Sequence, residues 1–365
     1  YLLDDLPRDD VEMLNAYRKN KMIVDVYEPG STFKIFTTAT AIEKGVVTSA
    51  SRFYCPGYRI VDGQRIRCWR TIGHGSQNLV EGVQNSCNCV FMDLALKLGT
   101  DNLYDGLNKF GFGSKTGIDF FGESSGIMMK RDGVKNVDLA RIGFGQAVAV
   151  TPVQLAAGVC AVVNGGKKVT PHFVDRIESV DGREIYRFTD IKQQILSAET
   201  SSLMRELLLN VVNNGGGKKA AVEGYEIGGK TGTAQKYENG AIASGKYVSS
   251  FVGFAPADDP KYVILMTVDE PTAGAYYGSI VAAPYVGRVF SKIFYYEQIE
   301  PTTPIKEEEY VVMPQLEGLS VGEALSIAQK TGLYCECAGE GAIVQSTLPI
   351  AGEKIKKGDV VLLRS

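Results

Sequence analysis

Three strand-like segments in the second half of the chain constrain its fold more than any other feature. Apolar and polar residues alternate through Tyr225–Lys236, Tyr247–Ala255 and Lys261–Thr267, with the period of two that is typical of half-buried strands. The connections between them are short and contain turn residues such as Asp258-Asp259-Pro260. Consecutive strands joined in this way pair antiparallel, so the pattern predicts a three-stranded meander.

Helical patterns accompany this sheet. Apolar residues recur at helical spacing after Ser31, through the eighties and nineties, and across Thr151–Val163 and Ala198–Val212. The longest charge-free run, Ile142–Gly166, contains a Thr-Pro helix start and an Asn-Gly stop. These signals leave about a dozen helical residues, which is too few to span a bilayer. Strands and helices together indicate a fold of mixed α/β class.

The composition of the chain changes near its C-terminal end. A segment over residues 299–309 carries Pro301, Pro304 and three consecutive glutamates, which is typical of a linker. Beyond it, a short strand, a helix over Gly322–Lys330 and two strands ending at Val360–Leu363 predict a small α+β module. We therefore expect a large domain over residues 1–298, a linker over 299–309 and a module over 310–365.

Charge and cysteine content exclude several classes of protein. Thirty-nine basic and 42 acidic residues leave a formal net charge of −3, so we expect no nucleic-acid partner. Seven cysteines are an odd number and do not form a dense disulfide framework. We find no signal peptide, so we expect any targeting or anchoring segment to lie outside this chain.

The tetrapeptide Ser31-Thr32-Phe33-Lys34 directly follows Glu28-Pro29-Gly30. A helix is predicted from about Ser31, so Lys34 would project beside the Ser31 hydroxyl. A neutral lysine can take the proton of a serine, which is otherwise a poor nucleophile, and the helix N-terminus favours developing negative charge. Ser31 and Lys34 are therefore a candidate nucleophile and base, although a Ser-x-x-Lys match is expected roughly once by chance in a chain of this length.

Lys-Thr-Gly occurs three times in the chain, and only one copy lies in a strand pattern. Lys330-Thr331-Gly332 closes the helix of the small module, and Lys115-Thr116-Gly117 lies in a glycine-rich loop, where a turn is the simpler interpretation. Lys230-Thr231-Gly232-Thr233 falls within the first strand of the meander, among small residues. A strand edge without bulk lets a peptide pair with its backbone, while the lysine and the threonines can bind a carboxylate. We therefore take this copy as the functional one.

Ser-x-Asn occurs twice before the meander. Ser76-Gln77-Asn78 follows a Gly-His-Gly sequence and is interpreted as the N-cap of a helix. Ser86-Cys87-Asn88 falls between two helical patterns, and a connection between helices can point a hydroxyl and an amide into a cleft. Ser86 and Asn88 are therefore the candidate pair.

Taken in order, the three motifs form a signature of penicillin-binding proteins and β-lactamases. The stretches YEPGSTFKI, VQNSCN, FGFGSKTGIDFFGE, TPVQLA and GGKTGTAQ resemble the class B penicillin-binding proteins. The C-terminal module, with Met313-Pro314 and Gly358-Asp359, resembles a PASTA domain. The resemblance implies a penicillin-binding transpeptidase or serine β-lactamase-like fold of α/β (α+β) class, with an antiparallel sheet and helices on both sides. A single PASTA module is similar to the sporulation-specific type of the class, which implies a role in spore cortex synthesis.

The resemblance also implies a role for each of the first two motifs. Ser31 would attack the carbonyl between the terminal D-alanines of a peptidoglycan stem peptide, with Lys34 as the base and no cofactor. Like-charge repulsion from Lys230 would help to lower the pKa of Lys34. Ser86 would relay a proton to the leaving amine, and Asn88 would bind the substrate amide.

The third motif would bind the end of the substrate. The substrate carboxylate would be held by Lys230, Thr231 and Thr233, which flank Gly232. The backbone N–H groups of Ser31 and Thr233 would form the oxyanion hole. β-Lactams would acylate the same serine. The family also implies a membrane-embedded glycosyltransferase partner and a location on the extracytoplasmic face of the bacterial membrane, with an N-terminal anchor that this chain does not contain.

Four cysteines and one of the two histidines lie between residues 55 and 89. A hairpin about an Asp-Gly turn would put Cys55 diagonal to Cys68, roughly 7–8 Å apart, which is long for a disulfide but suited to sharing a metal. With His74 and Cys87 this makes a Cys3His set, a tetrahedral zinc composition, which class B relatives share in similar patterns. Cys89 is the competing ligand. A disulfide and unlinked packing thiols are the alternatives.

Two other functions are compatible with the motifs. A serine β-lactamase or a penicillin-sensing receptor would share the acylation machinery, but the sequence identifies no additional base for rapid deacylation. A non-catalytic scaffold would use the same fold to bind the cell wall. The intact nucleophile, base and carboxylate-binding strand favour the transpeptidase over both.

Overall fold

The computed structural model describes residues 10–190, 192–238, 241–272, 274–304 and 309–365. The chain divides into two compact units between Thr303 and Pro304. This division falls inside the predicted linker, of which residues 305–308 lie outside the described residues, as do the first nine residues of the predicted large domain.

Helices and short strands alternate along the described chain. The helices are α1 (Val11–Arg18), α2 (Lys21–Val24), α3 (Lys34–Glu43), α4 (Leu79–Gln84), α5 (Asn88–Phe110), α6 (Asn136–Ile142), α7 (Pro152–Val163), α8 (Ala198–Asn214), α9 (Gly278–Val281), α10 (Ala283–Tyr296) and α11 (Val321–Lys330). The strands are β1 (Arg52–Cys55), β2 (Tyr58–Val61), β3 (Gln64–Arg67), β4 (Gly75–Asn78), β5 (Ile127–Met128), β6 (Val148–Ala149), β7 (Lys167–Lys168), β8 (Arg176–Glu178), β9 (Glu184–Arg187), β10 (Gln193–Gln194), β11 (Gly228–Glu238), β12 (Ala241–Ala255), β13 (Tyr262–Asp269), β14 (Tyr310–Val312), β15 (Tyr334–Ala338), β16 (Ser346–Leu348), β17 (Lys354–Lys356) and β18 (Val360–Arg364).

The predicted meander is confirmed as a three-stranded sheet in the order β11-β12-β13, with both pairs antiparallel. Successive side chains of the central strand, β12, pack alternately into two hydrophobic cores. Val252 and Phe254 pack into a cluster with α3, α5, α7 and α8, whereas Phe251 and Ala255 pack with residues of α10. Because successive side chains of a strand point to opposite faces, the sheet lies between two helical layers. Helices on both sides of the sheet were predicted, and they are present.

Helix α3 lies at the centre of the larger core. All of its residues from Lys34 to Ala41 are buried, and it packs against α5, α7 and α8. A helix that is buried all round is apolar on every face. The exceptions are Lys34, which opens this helix, and the buried threonines Thr37, Thr38 and Thr40.

The charge-free run Ile142–Gly166 contains helix α7. This helix begins after the N-cap Thr151 and has 12 residues. Among the described residues we find no helix with the length and apolar content needed to cross a bilayer.

The smaller unit has its own apolar core, which includes Met313, Leu316, Val361 and Leu363. Its helix α11 begins at the Ser320 N-cap with a capping box, close to the predicted start. The prediction of three strands is wrong, because the unit contains five, β14 to β18. Three of them, β14, β16 and β17, have only three residues each, which is too short for a clear alternating pattern.

Candidate active site and neighbouring cysteine cluster

The candidate nucleophile lies in a tight turn that leads into α3. Residues Gly30–Phe33 form a 3-10 helix, and the α-helix begins only at Lys34, three residues later than the predicted start. Residues three apart are eclipsed in a 3-10 helix, so Ser31 and Lys34 share one face. These two side chains are therefore neighbours, as predicted, although the local helix is a 3-10 helix and not an α-helix.

A close approach of backbones brings the third motif to this turn. Gly30 has φ +53°, and a Cβ at that position would lie 3.1 Å from the carbonyl oxygen of Thr233. On the opposite side, a Cβ at Gly232 would lie 3.0 Å from the carbonyl oxygen of Pro29 and 2.3 Å from Ser250 Oγ. Residues without side chains are needed at both positions because strand β11 runs against the nucleophile turn.

Lys34 is the hub of the candidate site. It is 1% exposed, and its Nζ donates hydrogen bonds to the Ser86 carbonyl oxygen at 2.7 Å, to Ser86 Oγ at 3.1 Å and to Asn88 Oδ1 at 2.7 Å. Burial lowers the pKa of Lys34 to about 8, although negative charge on Cys68, Cys87 and Cys89 would raise it. A lysine with this pKa is partly neutral near pH 7 and can act as a base.

Lys230 approaches the same hydroxyl from the first strand of the meander. It is 1% exposed, and its Nζ donates to Ser86 Oγ at 2.9 Å and to the Thr231 carbonyl oxygen at 3.3 Å. Burial, and secondarily the charge of Lys34, lower its pKa well below the usual value. Burial is the first cause of the lowered pKa at both lysines, and like-charge repulsion between them adds to it at Lys230. The help that Lys230 is expected to give to Lys34 stays a prediction.

Ser86 and Asn88 lie where the sequence predicts, between two helices. Helix α4 ends at Gln84, and α5 begins at Asn88 with Cys87 as its N-cap. Ser86 has φ +50°, an unusual conformation for a residue with a side chain. In that conformation its carbonyl and hydroxyl oxygens both face Lys34. The hydroxyl of Ser86 thus bridges two lysines that come from different parts of the chain.

The remaining copies of the motifs have structural roles. Asn78 caps α4 with a capping box, so Ser76-Gln77-Asn78 leads into a helix as expected. The carboxylate of Glu123 accepts hydrogen bonds from the backbone N–H groups of Thr116 at 2.6 Å and Gly117 at 3.2 Å, which makes that copy a braced turn. Lys330 is the last residue of α11.

The three functional motifs line one cleft with a volume of about 460 Å³. Ser31, Ser86, Asn88, Thr231, Gly232 and Thr233 all contribute to its surface. The Thr233 hydroxyl donates to the Gly232 carbonyl oxygen at 2.8 Å and accepts from the Gly278 N–H at 3.1 Å. It therefore braces strand β11 against the start of α9 as well as facing the cleft.

Sequence reasoning missed several residues of the cleft surface, among them Trp69, Asn214 and Tyr277. Trp69 donates from Nε1 to the Asn85 carbonyl oxygen at 3.0 Å, directly before the second motif. Asn214 ends α8 and precedes three consecutive glycines. That glycine run was a signal of close backbone approach that could have identified this wall.

The four predicted metal-binding residues come together. Cys55, Cys68, His74 and Cys87 each offer one ligand atom within 4.8 Å of the others. The β2–β3 register is the predicted one, but Cys55 belongs to a separate strand, β1, whose pairing with β4 puts it opposite Gly75. The expected diagonal neighbourhood in a single hairpin is therefore wrong, although the residues still meet.

The chemistry of this cluster fits a metal ion. Hydrogen bonds from the thiols of Cys87 and Cys89 strongly lower the pKa of Cys68, and burial lowers the pKa of His74. A thiolate beside a neutral imidazole is the form that binds zinc. The seven cysteines are all free thiols in this structure, so it contains no disulfide. Cys89 is fully buried but is not part of the four-ligand set.

Comparisons with known proteins identify the family of this chain. A model of the penicillin binding protein transpeptidase domain matches residues 3–294, and a model of the PASTA domain matches residues 311–365. Stage V sporulation protein D of Bacillus subtilis (strain 168) is 40% identical over 95% of this chain and 55% of its own length. Peptidoglycan D,D-transpeptidase FtsI of Escherichia coli (strain K12) is 32% identical over 80% of this chain and 48% of its own length. The chain thus spans about half the length of these two curated relatives.

Solved structures lead to the same family. The apo transpeptidase domain of Burkholderia pseudomallei penicillin-binding protein 3 superposes with a TM-score of 0.71 at 27% sequence identity, over 79% of this chain and 85% of that domain. The family match covers most of the larger unit, and the buried lysines and their serine partners lie within it. This chain belongs to the penicillin-binding protein transpeptidase family.

Proposed function

We propose that this chain is the catalytic part of a serine-type peptidoglycan D,D-transpeptidase. The observation that carries the proposal is the position of Lys34: it is buried, its pKa is about 8, and it is hydrogen-bonded to Ser86 and Asn88 on the face that it shares with Ser31. A base of this kind can deprotonate a serine near neutral pH without a cofactor.

The reaction begins with transfer of the Ser31 proton to neutral Lys34 as Oγ attacks the carbonyl between two terminal D-alanines. The backbone N–H groups of Ser31 and Thr233 stabilise the oxyanion. The peptide C–N bond then breaks, and the proton passes from Lys34 through the Ser86 hydroxyl to the leaving amine of D-alanine. An amine of a neighbouring strand attacks the acyl-enzyme, loses its proton and regenerates Ser31, which leaves a cross-link.

Ser86 is suited to a proton relay because its hydroxyl accepts from both lysines, Lys34 at 3.1 Å and Lys230 at 2.9 Å. Asn88 is held by the bond from Lys34 to its Oδ1 and by a long bond from its Nδ2 to the Arg67 carbonyl oxygen at 3.4 Å. It lines the cleft, where it is proposed to bind a substrate amide. Lys230, Thr231 and Thr233 are placed on one strand beside this point and are proposed to bind the terminal carboxylate.

The biological setting is proposed from the relatives. The name of the Bacillus subtilis relative supports a role in sporulation, in spore cortex synthesis. Peptidoglycan lies outside the cytoplasmic membrane, so we place the reaction on the extracytoplasmic face, with an anchor outside this chain. A membrane-embedded glycosyltransferase is the partner that would supply glycan strands, and the PASTA module belongs to the same wall-building function.

A β-lactamase or penicillin sensor is the second candidate, and the cleft surface argues against rapid deacylation. Among the described residues that line the cleft there is no aspartate or glutamate to activate a water molecule. An acyl-enzyme that persists for hours is therefore expected with penicillin. The scaffold alternative predicts no acylation.

Intact-mass measurement after treatment with benzylpenicillin tests the proposal. The native chain should gain the mass of one penicillin, mapped to the peptide that contains Ser31, and Ser31→Ala should gain nothing. Ser76→Ala is the matched control, because Ser76 is an exposed serine of the unused Ser-x-Asn copy. Covalent labelling of Ser31→Ala, or none in the native chain, would contradict the proposal, and turnover within minutes would favour a β-lactamase.

We further propose that Cys55, Cys68, His74 and Cys87 hold a structural Zn²⁺. The buried Nε2 of His74 has no hydrogen-bond partner among the described residues, and Nδ1 lies 3.6 Å from Cys68 Sγ. Bound zinc would cross-link the β1–β4 and β2–β3 sheets to the residue between Ser86 and Asn88, and so fix the second motif.

Metal analysis of protein purified under reducing, chelator-free conditions tests the zinc site. We expect about one zinc ion per chain in the native protein and a large loss in Cys55→Ser, because three ligands bind more weakly than four. Cys160→Ser, which changes a cysteine outside the cluster, should keep the metal. A native zinc content near zero would contradict the site.

A further inference from the structure

The second motif lies in a turn with a strained backbone. Helix α4 ends in a Schellman motif, in which the Ser86 N–H donates to the Val83 carbonyl oxygen at 3.1 Å and the Cys87 N–H donates to the Gly82 carbonyl oxygen at 3.0 Å. Ser86 occupies the left-handed position of this motif, with φ +50°. Glycine is the usual residue there, because a side chain disfavours that conformation. The turn therefore needs support from its neighbours to hold a serine in this conformation.

Two side chains outside the catalytic motifs hold the residue that precedes Ser86. Trp69 donates from Nε1 to the Asn85 carbonyl oxygen at 3.0 Å, and a carbonyl at the end of a helix has no partner within the helix itself. The side chain of Asn85 donates from Nδ2 to Gln77 Oε1 at 3.1 Å. The first bond fixes the peptide group that joins Asn85 to Ser86, and the second fixes the Asn85 side chain.

The environment of Gln77 indicates that stability alone does not explain this residue. Gln77 is 3% exposed, and its Nε2 is buried without a hydrogen-bond partner among the described residues. A buried N–H group without an acceptor is unfavourable, and an apolar side chain of the same length would avoid it. Folding alone therefore favours a residue such as methionine at this position, whereas glutamine provides the acceptor for Asn85.

Both supporting residues belong to the segment that carries the cysteine cluster. Trp69 directly follows a cysteine of the cluster, and its ring packs edge-on against His74 with ring centroids 5.2 Å apart. Gln77 lies on β4, which pairs with β1. The two buried lysines come from other elements, α3 and β11. A shift of this segment would therefore move the Ser86 hydroxyl relative to both lysines.

We propose that Trp69 and Gln77 are positioning residues of the acylation reaction. By holding Asn85 from two sides, they keep Ser86 in the left-handed conformation in which its hydroxyl accepts from both buried lysines. Both residues act through the peptide group before Ser86 and not through contact with the substrate. The inference rests on the proposed transpeptidase function, in which this hydroxyl relays a proton.

Two conservative variants test this role through acylation by labelled penicillin, measured over a range of penicillin concentrations. Trp69→Phe keeps an aromatic ring beside the cleft and loses the indole N–H, and Gln77→Met keeps the length of the side chain and loses the acceptor. In each variant the maximal rate constant should fall about threefold to tenfold, the effect of one hydrogen bond, while the concentration for half-maximal acylation stays within about twofold. An unchanged maximal rate constant with a raised half-maximal concentration would indicate ligand contact and overturn the proposal.

Unfolding in urea separates positioning from a general structural role. Gln77→Met should leave the urea midpoint unchanged or raise it, because the variant removes a buried N–H group without a partner. Slower acylation that appears only together with a lower midpoint would overturn the proposal for Gln77. In the double variant the loss of rate should differ from the product of the two single losses, because both residues act through Asn85. Losses that simply multiply would overturn this shared route.

Tyr54→Phe and Gln193→Met are the matched controls. They make comparable changes at exposed residues outside the cleft and should keep the native rate constant and half-maximal concentration. Equal losses in the controls would overturn the assignment to Trp69 and Gln77. Acylation of the native chain tests the proposed function separately: absence of labelling contradicts the transpeptidase, whereas normal labelling with unaffected variants contradicts only the positioning role.

Discussion

Two copies of the same tripeptide, Lys230-Thr231-Gly232 and Lys115-Thr116-Gly117, differ in burial and in hydrogen bonding. Lys230 is 1% exposed and donates to Ser86, whereas Lys115 is exposed. The backbone of the first copy pairs with β12, while that of the second is bound by the Glu123 carboxylate. The tripeptide therefore has no chemistry of its own: burial beside a second lysine lowers the pKa of Lys230, whereas the side chain of Lys115 lies in solvent.

The largest expected effect comes from removing the lysine of each copy in turn. Lys230→Ala should lower the rate constant for acylation by labelled penicillin by about 10²–10⁴-fold, because it deletes a charged donor at the proton relay. Lys115→Ala should stay within about twofold of the native rate, since its side chain is exposed. Comparable losses in both variants would contradict the separation of the two copies.

The pH dependence of acylation tests the effect of burial on the second buried lysine, Lys34. Lys34 must be neutral to act as a base, and its pKa is about 8. The neutral fraction rises as pH increases through this value, so the acylation rate should fall about tenfold for each pH unit below it and reach a plateau above it. A profile measured from pH 5.5 to 9.5 checks this. A midpoint above about pH 10, near the pKa of a lysine side chain in water, would contradict the role of burial.

The stability of the protein should depend more on the Lys115-Thr116-Gly117 turn than on the functional copy of the tripeptide. Glu123 is 8% exposed and binds the turn at Thr116 and Gly117, so Glu123→Ala should lower the free energy of unfolding by about 2 kcal/mol, because two partly buried hydrogen bonds to a carboxylate are lost. Urea unfolding measures this. Thr231→Val, in the functional copy, should change stability by less than about 1 kcal/mol while slowing acylation. A larger loss of stability in Thr231→Val than in Glu123→Ala would contradict these roles.

Much of the site could be predicted because its motifs are local. The turn before Ser31, the connection that carries Ser86 and the strand that carries Lys230 all have short-range signals of their own, and the structure has each in the expected type of element apart from the 3-10 turn. The strand of Cys55 did not have such a signal. Its partner β4 lies about twenty residues later, and a pairing at that distance leaves no periodic trace in either four-residue strand.

Longer elements were also harder to bound. Helix α5 extends to Phe110, beyond the helical pattern predicted through the eighties and nineties, because it resumes after a non-helical residue, Gly99, with φ 72° and ψ 167°. Sequence rules interpret such a glycine as a stop. Packing of Leu103 and Leu107 into the core stabilises the second half, which is a tertiary effect.

The sequence by itself determined which side chains are available for chemistry: one serine followed by a lysine on a helical turn, a second serine between helices, and a lysine on a strand of small residues. Only the tertiary structure decided what these groups can do. Burial lowers the pKa values of Lys34 and Lys230, and the left-handed Ser86 joins them through one hydroxyl. Desolvation and distance are properties of packed neighbours from distant parts of the chain, so no local pattern specifies them.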